Sequence, residues 1–197
     1  MNHDLYLWYG ARVAAMTALA VLVAAVVTGV ATRTAYLAPI ARNRAVTAVH
    51  SFLSWFWVPL VFVHVGALVL DSTAGIRLVD AVVPFRASYA STAVGLGTIS
   101  FLLLVITLLT SLARKHMPGR AWRWLHRLTY PMLALMVVHA QLAGTDFSHA
   151  GVSVLAWAMA GSALLLAVPR LAHARMDSNA AACAAGPAGT RPVAAGE

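Results

Sequence analysis

Four histidines stand inside long apolar stretches: His50 and His64 in one, His126 and His139 in another. An ionisable side chain within a membrane is costly and is usually there for function. A single such histidine could do no more than hydrogen-bond a neighbouring helix. Four, in two pairs on two segments, point to ligation. His50 and His64 are 14 residues apart. On an α-helix that is about 21 Å of rise, and the two side chains fall within about 40° of one face. His126 and His139 are 13 apart, or about 20 Å. One apolar segment lies between the two histidine-bearing ones, so these run in the same direction. His50 is thereby paired with His126 near one membrane surface, and His64 with His139 near the other.

Two neutral imidazoles do not satisfy zinc or copper, and no Cys, Asp or Glu lies at these depths to add ligands. Haem iron takes four ligands from its porphyrin and needs only two axial imidazoles. A porphyrin face suits an apolar helix bundle. The chain has no C-x-x-C-H, so the expected group is non-covalent haem b, two per chain. Arg42, Arg44, Arg123 and Arg127 stand near the expected inner pair and are candidates to contact its propionates. Each is equally accounted for as a topology signal. The 13-residue spacing leaves a difficulty: a straight helix would turn His139 about 140° off the face of His126. Pro131 lies between them and offers a kink or a rewinding of the helix.

The elements that must hold these residues follow from composition. Of 197 residues, 61% are hydrophobic and 10% charged, with a mean hydropathy of +0.79. A soluble domain carries about 25% charged residues, and could not hide this much apolar surface. A cytosolic globular enzyme is excluded. Five stretches are long enough to span a bilayer at about 20 residues each. They run from about Val13 to Val30, Val46 to Leu70, Thr92 to Leu112, Trp122 to Leu142 and Val152 to Val168. No period-2 alternation supports strands. The expected fold is all-α, an integral membrane bundle of about five transmembrane helices. The first span is read as retained: Met1 to Leu7 has no Lys or Arg to make the basic start of a signal peptide.

The net charge of +8 is mostly a topology signal. Arg33, Arg42 and Arg44 follow the first span, and Arg114, Lys115, Arg120 and Arg123 follow the third. Lys and Arg gather on the cytoplasmic side. The N-terminus is therefore expected outside and the C-terminus in the cytoplasm, in the cell inner (plasma) membrane. No nucleic-acid partner is implied; the expected surroundings are a lipid bilayer. The loop from about Asp71 to Ala90 mixes Ile76, Leu78, Val79, Val82, Val83 and Phe85 with charge. It reads equally as an amphipathic interfacial segment or as irregular chain. Residues 1–175 form the expected haem-binding domain. Residues 176–197, rich in Ala, Gly and Pro, read as a disordered cytoplasmic tail holding the lone Cys183 as an incidental thiol.

With these residues in place the sequence resembles the ferric-reductase-like transmembrane domain, the haem-bearing bundle of ferric reductases, NADPH oxidases and bacterial haem-binding membrane subunits. That domain carries a His pair 14 apart on one helix and a pair 13 apart two helices on. GRAWRWLHRLTYPMLALMVVH looks like its W-x-x-L-H-x-x-x-Y segment and following His, and VHSFLSWFWVPLVFVHVGALVLDS like its first pair. The resemblance covers roughly residues 44–146. It implies haem ligation by His50, His64, His126 and His139, with electrons entering from a cytoplasmic donor and leaving to an unidentified outer acceptor. It also implies an oxidoreductase component. The larger relatives carry flavin and NADPH domains, whereas this sequence has no Gly-rich dinucleotide fingerprint and five spans where many have six. A separate cytoplasmic flavin reductase is the implied donor, so any flavin belongs to a partner. No side chain is assigned as catalytic.

The remaining polar residues carry less. His116, His173 and His3 read as solvated, and His149 as an outer-loop residue that could line an acceptor site. Trp122 and Trp124 suit interface anchoring. Tyr130, Trp55 and Trp57 suit packing, with haem contact as the alternative. Gly95 and Gly97 suit close helix approach. Two other functions compete with the cytochrome: a quinone-linked cytochrome b subunit, and a haem-free transporter or structural subunit using histidine as proton relay or helix glue.

Overall fold

The computed structural model describes the backbone of residues 2–34 and 39–184, and the side chains of these except residues 2, 33 and 169–184. Arg33, His173 and Cys183 have their side chains outside the described residues, and residues 185–197 lie outside them altogether. The described chain is helical, with no strand. The helices are α1 (Asn2–Thr34), α2 (Asn43–Leu70), α3 (Ser91–Leu112), α4 (Gly119–His126), α5 (Thr129–Ala143) and α6 (Ala150–Ala184). Four of them, α1, α2, α3 and α6, are long and apolar enough to cross a membrane. The chain is an all-α, multi-pass membrane bundle.

Length explains the departures from the expected spans. Helix α1 starts at Asn2 rather than near Val13. Its first turns carry Leu5, Tyr6, Trp8 and Tyr9, which extend the apolar surface toward the interface. Helix α6 continues to Ala184, past Met176 where composition predicts disorder; alanine, the strongest helix former, dominates its end.

The expected fourth span is two helices, α4 and α5, because Pro131 cannot continue one. It has no N–H, and in an unbroken helix its ring would meet the carbonyl of Arg127. Three-residue turns bridge the break: Leu128 N–H donates to Leu125 O at 3.0 Å and Tyr130 N–H to Arg127 O at 3.1 Å. The Thr129 hydroxyl donates to the carbonyl of His126 at 2.9 Å, satisfying a group the break would orphan.

Helix α1 is the hub. It packs along α2 and also against α5 and α6, while α3 packs on α5. Its face toward α6 is cut down to small residues, Ala14 and Ala18, opposite Ala156, Ala160 and Ala163. In lipid, close backbone approach replaces the hydrophobic drive between helices. The core between the rods is Leu22, Val26, Trp57, Val61, Leu104, Met132, Leu133 and Val137. Helix α2 packs its backbone closely on α1, and it meets the α3–α5 layer through side chains, with the Phe62 ring 5.8 Å from that of Phe101. A gap is left beside these contacts, between α2 and the α3–α5 layer.

The loop after α2 is mostly irregular, with one three-residue-type turn at Leu78–Ala81. It is pinned rather than loose. The Asp71 carboxylate accepts from the Thr73 N–H and hydroxyl at 2.8 and 2.6 Å. The Thr98 hydroxyl of α3 donates to the carbonyl of Asp80 at 2.7 Å. Phe85, in a left-handed backbone conformation (φ 62°), drops its ring onto Gly95.

Candidate functional site

Two pairs of imidazoles face each other across the gap. The rings of His50 and His126 have centroids 6.2 Å apart and planes at 90°. Those of His64 and His139 are 6.4 Å apart at 73°. The structure thus brings together the two pairs that spacing and topology predict. The break between α4 and α5 reconciles the 13-residue spacing. A three-residue turn advances about 120° per residue rather than 100°. That overwinding supplies about 40–60° of the turn, and the break between two separate helices leaves their axes free to supply the rest; His126 thus meets His50 while His139 meets His64.

The protonation of three of these rings follows from their partners. His50 Nδ1 lies 2.9 Å from the carbonyl of Ala25, His64 Nδ1 2.9 Å from that of Ala11, and His139 Nδ1 2.7 Å from that of Ala93. A carbonyl only accepts, so in each ring Nδ1 carries the hydrogen and donates it. Nε2 keeps its lone pair and is available to a ligand. His126 is held differently: the Trp122 ring stacks on it at 4.9 Å and 17°. The Arg114 guanidinium covers Trp122 at 4.4 Å.

Each pair borders a cavity. The one at His50 and His126, toward the basic loops, measures about 210 Å³. The one at His64 and His139, toward the opposite side, measures about 410 Å³. A void holding one water needs only about 10–15 Å³, so neither is a packing defect. The first is lined by Leu22, Val26, Trp55, Trp57, Leu104, Met132 and Tyr130 among others. The second is lined by Leu19, Val61, Phe101, Met136 and Phe147, with Arg12, Asp71, Asp80 and Asp146 also bordering it.

The spacing of the rings tests what fits. Two metal–imidazole bonds of about 2 Å each, plus roughly 1.1 Å from each Nε2 to its ring centre, place two axial ligands about 6.3 Å apart. The observed separations match this. Among the described residues no three His, Cys, Asp or Glu gather into a metal-binding group. The donor set at each site is thus two imidazoles facing across an apolar slot. That suits a group bringing its own equatorial ligands.

The other predicted residues sort clearly. Of the arginine candidates, Arg127 borders the basic-side cavity and lays its guanidinium 4.8 Å over Trp124. Arg42, Arg44 and Arg123 are exposed and border neither cavity. Trp55, Trp57 and Tyr130 all line the basic-side cavity. Gly97 of α3 lies under the ring of His139 on α5, and Gly95 lies under Phe85. His3, His116 and His149 are exposed.

Sequence reasoning missed Arg12. It ion-pairs with Asp146, its Nε donating to the carboxylate at 2.8 Å, and it covers Trp8 at 4.0 Å. The pair joins α1 to the loop before α6, and its guanidinium holds the Asp146 carboxyl below the usual carboxylate range. The signal was present: Arg12 is the lone Arg or Lys ahead of the first basic loop. Comparison with models of known families, with curated proteins and with solved structures finds no match.

Proposed function

We propose that this chain is a di-haem b-type membrane cytochrome. It passes electrons from a cytoplasmic donor, a flavin reductase in kind, to an acceptor on the outer side. The observation that carries the reading is the pair of His–His separations, 6.2 and 6.4 Å, each beside a cavity between helices. The inter-helix bonds of His50, His64 and His139 would serve a haem-free bundle too, but the cavities beside them would not, since each missing contact forfeits dispersion energy.

Bound haem supplies one-electron exchange between ferric and ferrous iron, tuned by axial ligands and burial. The chain's residues do the rest. His50 and His126 would hold one haem and His64 and His139 the other, through Nε2 in the three rings whose Nδ1–H is donated to a carbonyl. Backbone carbonyls of Ala25, Ala11 and Ala93 hold three of the rings by their Nδ1–H. The apolar walls of Leu22, Val26, Leu104, Val61 and Phe101 exclude water and lower the local dielectric. Arg127 is the cation available to a propionate at the basic-side site.

The test is a reduced-minus-oxidised spectrum of detergent-purified full-length protein, with haem counted as pyridine haemochrome. The expected result is a b-type spectrum with about two haems per chain. A chain made with ample haem supply that holds none overturns the proposal.

A further inference from the structure

The carbonyls that hold the histidines lie within helices, where side chains of later residues normally cover them. Because Cα–Cβ bonds tilt toward the helix N-terminus, the Cβ of residue i+4 overlies the carbonyl of residue i. Four residues after Ala25 stands Gly29, and four residues after Ala93 stands Gly97. The coincidence has a structural consequence. A Cβ on Gly29 would sit 2.9 Å from Cε1 of His50 and 3.2 Å from its Nδ1. A Cβ on Gly97 would sit 2.7 Å from both Cε1 and Nδ1 of His139. Each imidazole would have to shift away from its carbonyl to admit a methyl there.

His64 makes the same kind of bond. Its acceptor, Ala11, is 14 residues before Ala25, just as His64 is 14 after His50. One antiparallel register of α1 against α2 therefore makes both bonds. The residue four after Ala11 is Ala15, so at His64 the bond forms beside a methyl; glycine is required only where the ring lies as close as those of His50 and His139 do to Gly29 and Gly97.

We infer that Gly29 and Gly97 are positioning residues, one for each candidate site, that open a helix carbonyl to a ligand imidazole and thereby fix its tautomer and direction. The inference rests on the di-haem reading for its consequence, but not for its geometry. Loss of such an outer partner typically weakens metal affinity about 10–100-fold.

The experiment uses full-length protein in detergent, titrated with haemin. A His64→Ala background leaves the basic-side site alone, and a His50→Ala background leaves the far-side site alone. Gly29→Ala is expected to raise the haemin Kd by about 10–100-fold in the first background and to leave it unchanged in the second. Gly97→Ala is expected to do the reverse. The unaffected site shows that each variant folds. Gly161→Ala, which meets open space in α6, is the control for adding a methyl to a spanning helix. Where haem is retained, its reduction potential is expected to rise at the affected site alone, because the imidazole loses the bond that raises its basicity.

Equal Kd values with and without the glycine overturn the inference, and so does loss at both sites from either substitution. Absence of haemin binding by the wild-type chain overturns the di-haem reading instead. The positioning role is then read from imidazole ¹⁵N shifts of haem-free protein. Gly29→Ala is expected to release the Nδ1–H tautomer of His50, and an unchanged spectrum overturns the inference.

Discussion

Three candidate ligands are held by helix carbonyls and the fourth by a stacked ring, and the two pairs lie at separate cavities, which makes the sites separable by mutation. His64 and His139 are both donors to helix carbonyls and face each other at 6.4 Å. Replacing either by Ala leaves the His50–His126 pair intact, so haem content is expected to fall from about two to about one per chain. Two haems retained in either variant would refute the pairing. Trp122 gives His126 a stacked wall instead. Trp122→Ala removes that wall without removing a ligand. It is expected to loosen the basic-side haem and to leave the far-side one unaltered, read by site-specific haemin titration.

Asp146 and Asp71 make a pH prediction. Arg12 lowers the first through its hydrogen bonds, and the Thr73 hydroxyl with the Thr73 and Ala74 amides lowers the second. A carboxyl with a depressed folded-state pKa adds stability that is complete above its unfolded value, near 4, and is lost as pH falls through the folded value. The melting temperature in detergent is therefore expected to be insensitive to these groups from about pH 8 to pH 5, and to fall below about pH 4. Asp146→Asn is expected to lower it at neutral pH and to shrink the acid-induced fall. An unchanged acid profile in that variant would assign the pH response elsewhere.

At the scale of elements, the break between α4 and α5 matters most. Pro131 occupies the first turn of α5, where a missing N–H costs nothing, but it forbids fusion with α4. Pro131→Ala restores the N–H and removes the clash with Arg127. The two helices are then free to join, which would carry His126 off the face of His50. Haemin binding is expected to weaken tenfold or more at the basic-side site, on the scale of a lost ligand-orienting partner. The far-side site, built on α5 below the break, is expected to be retained. Equal retention of both would show that overwinding at Leu128 and Tyr130 survives without proline.

The whole molecule explains why a gap exists at all. Helix α1 lies against α2, α5 and α6, so it carries the load of assembly through small residues, Ala14, Ala18, Ala156 and Ala160. The backbone of helix α2 can then stand away from those of α3 and α5 and still belong to the bundle. The asymmetry of charge is expected to set how that bundle lies in the membrane. In a Cys183→Ser background, a cysteine at Lys115 is expected to react with an impermeant thiol reagent from the cytoplasmic side only. One at Ser148 is expected to react from the opposite side only. Reversed labelling would invert the proposed direction of electron flow.

Residue types alone determined the membrane class and marked the four histidines, because these are local properties. Apolar length sets a span, and a charge-poor segment makes each histidine conspicuous. The 14-residue spacing was readable on α2 because that helix is long and continuous. The 13-residue spacing was not, because its meaning depends on where the backbone overwinds, and Pro131 names a break without giving its rotation. Only the tertiary structure decided which arginine reaches a cavity, that Arg12 meets Asp146 across 134 positions, and that Ala11, Ala25 and Ala93 lend their carbonyls. Those facts depend on the register between helices, which no periodicity within one helix encodes. Gly29 and Gly97 belong to both sources: their type is plain in the sequence, but a glycine acquires its purpose from the side chain that comes to rest against it.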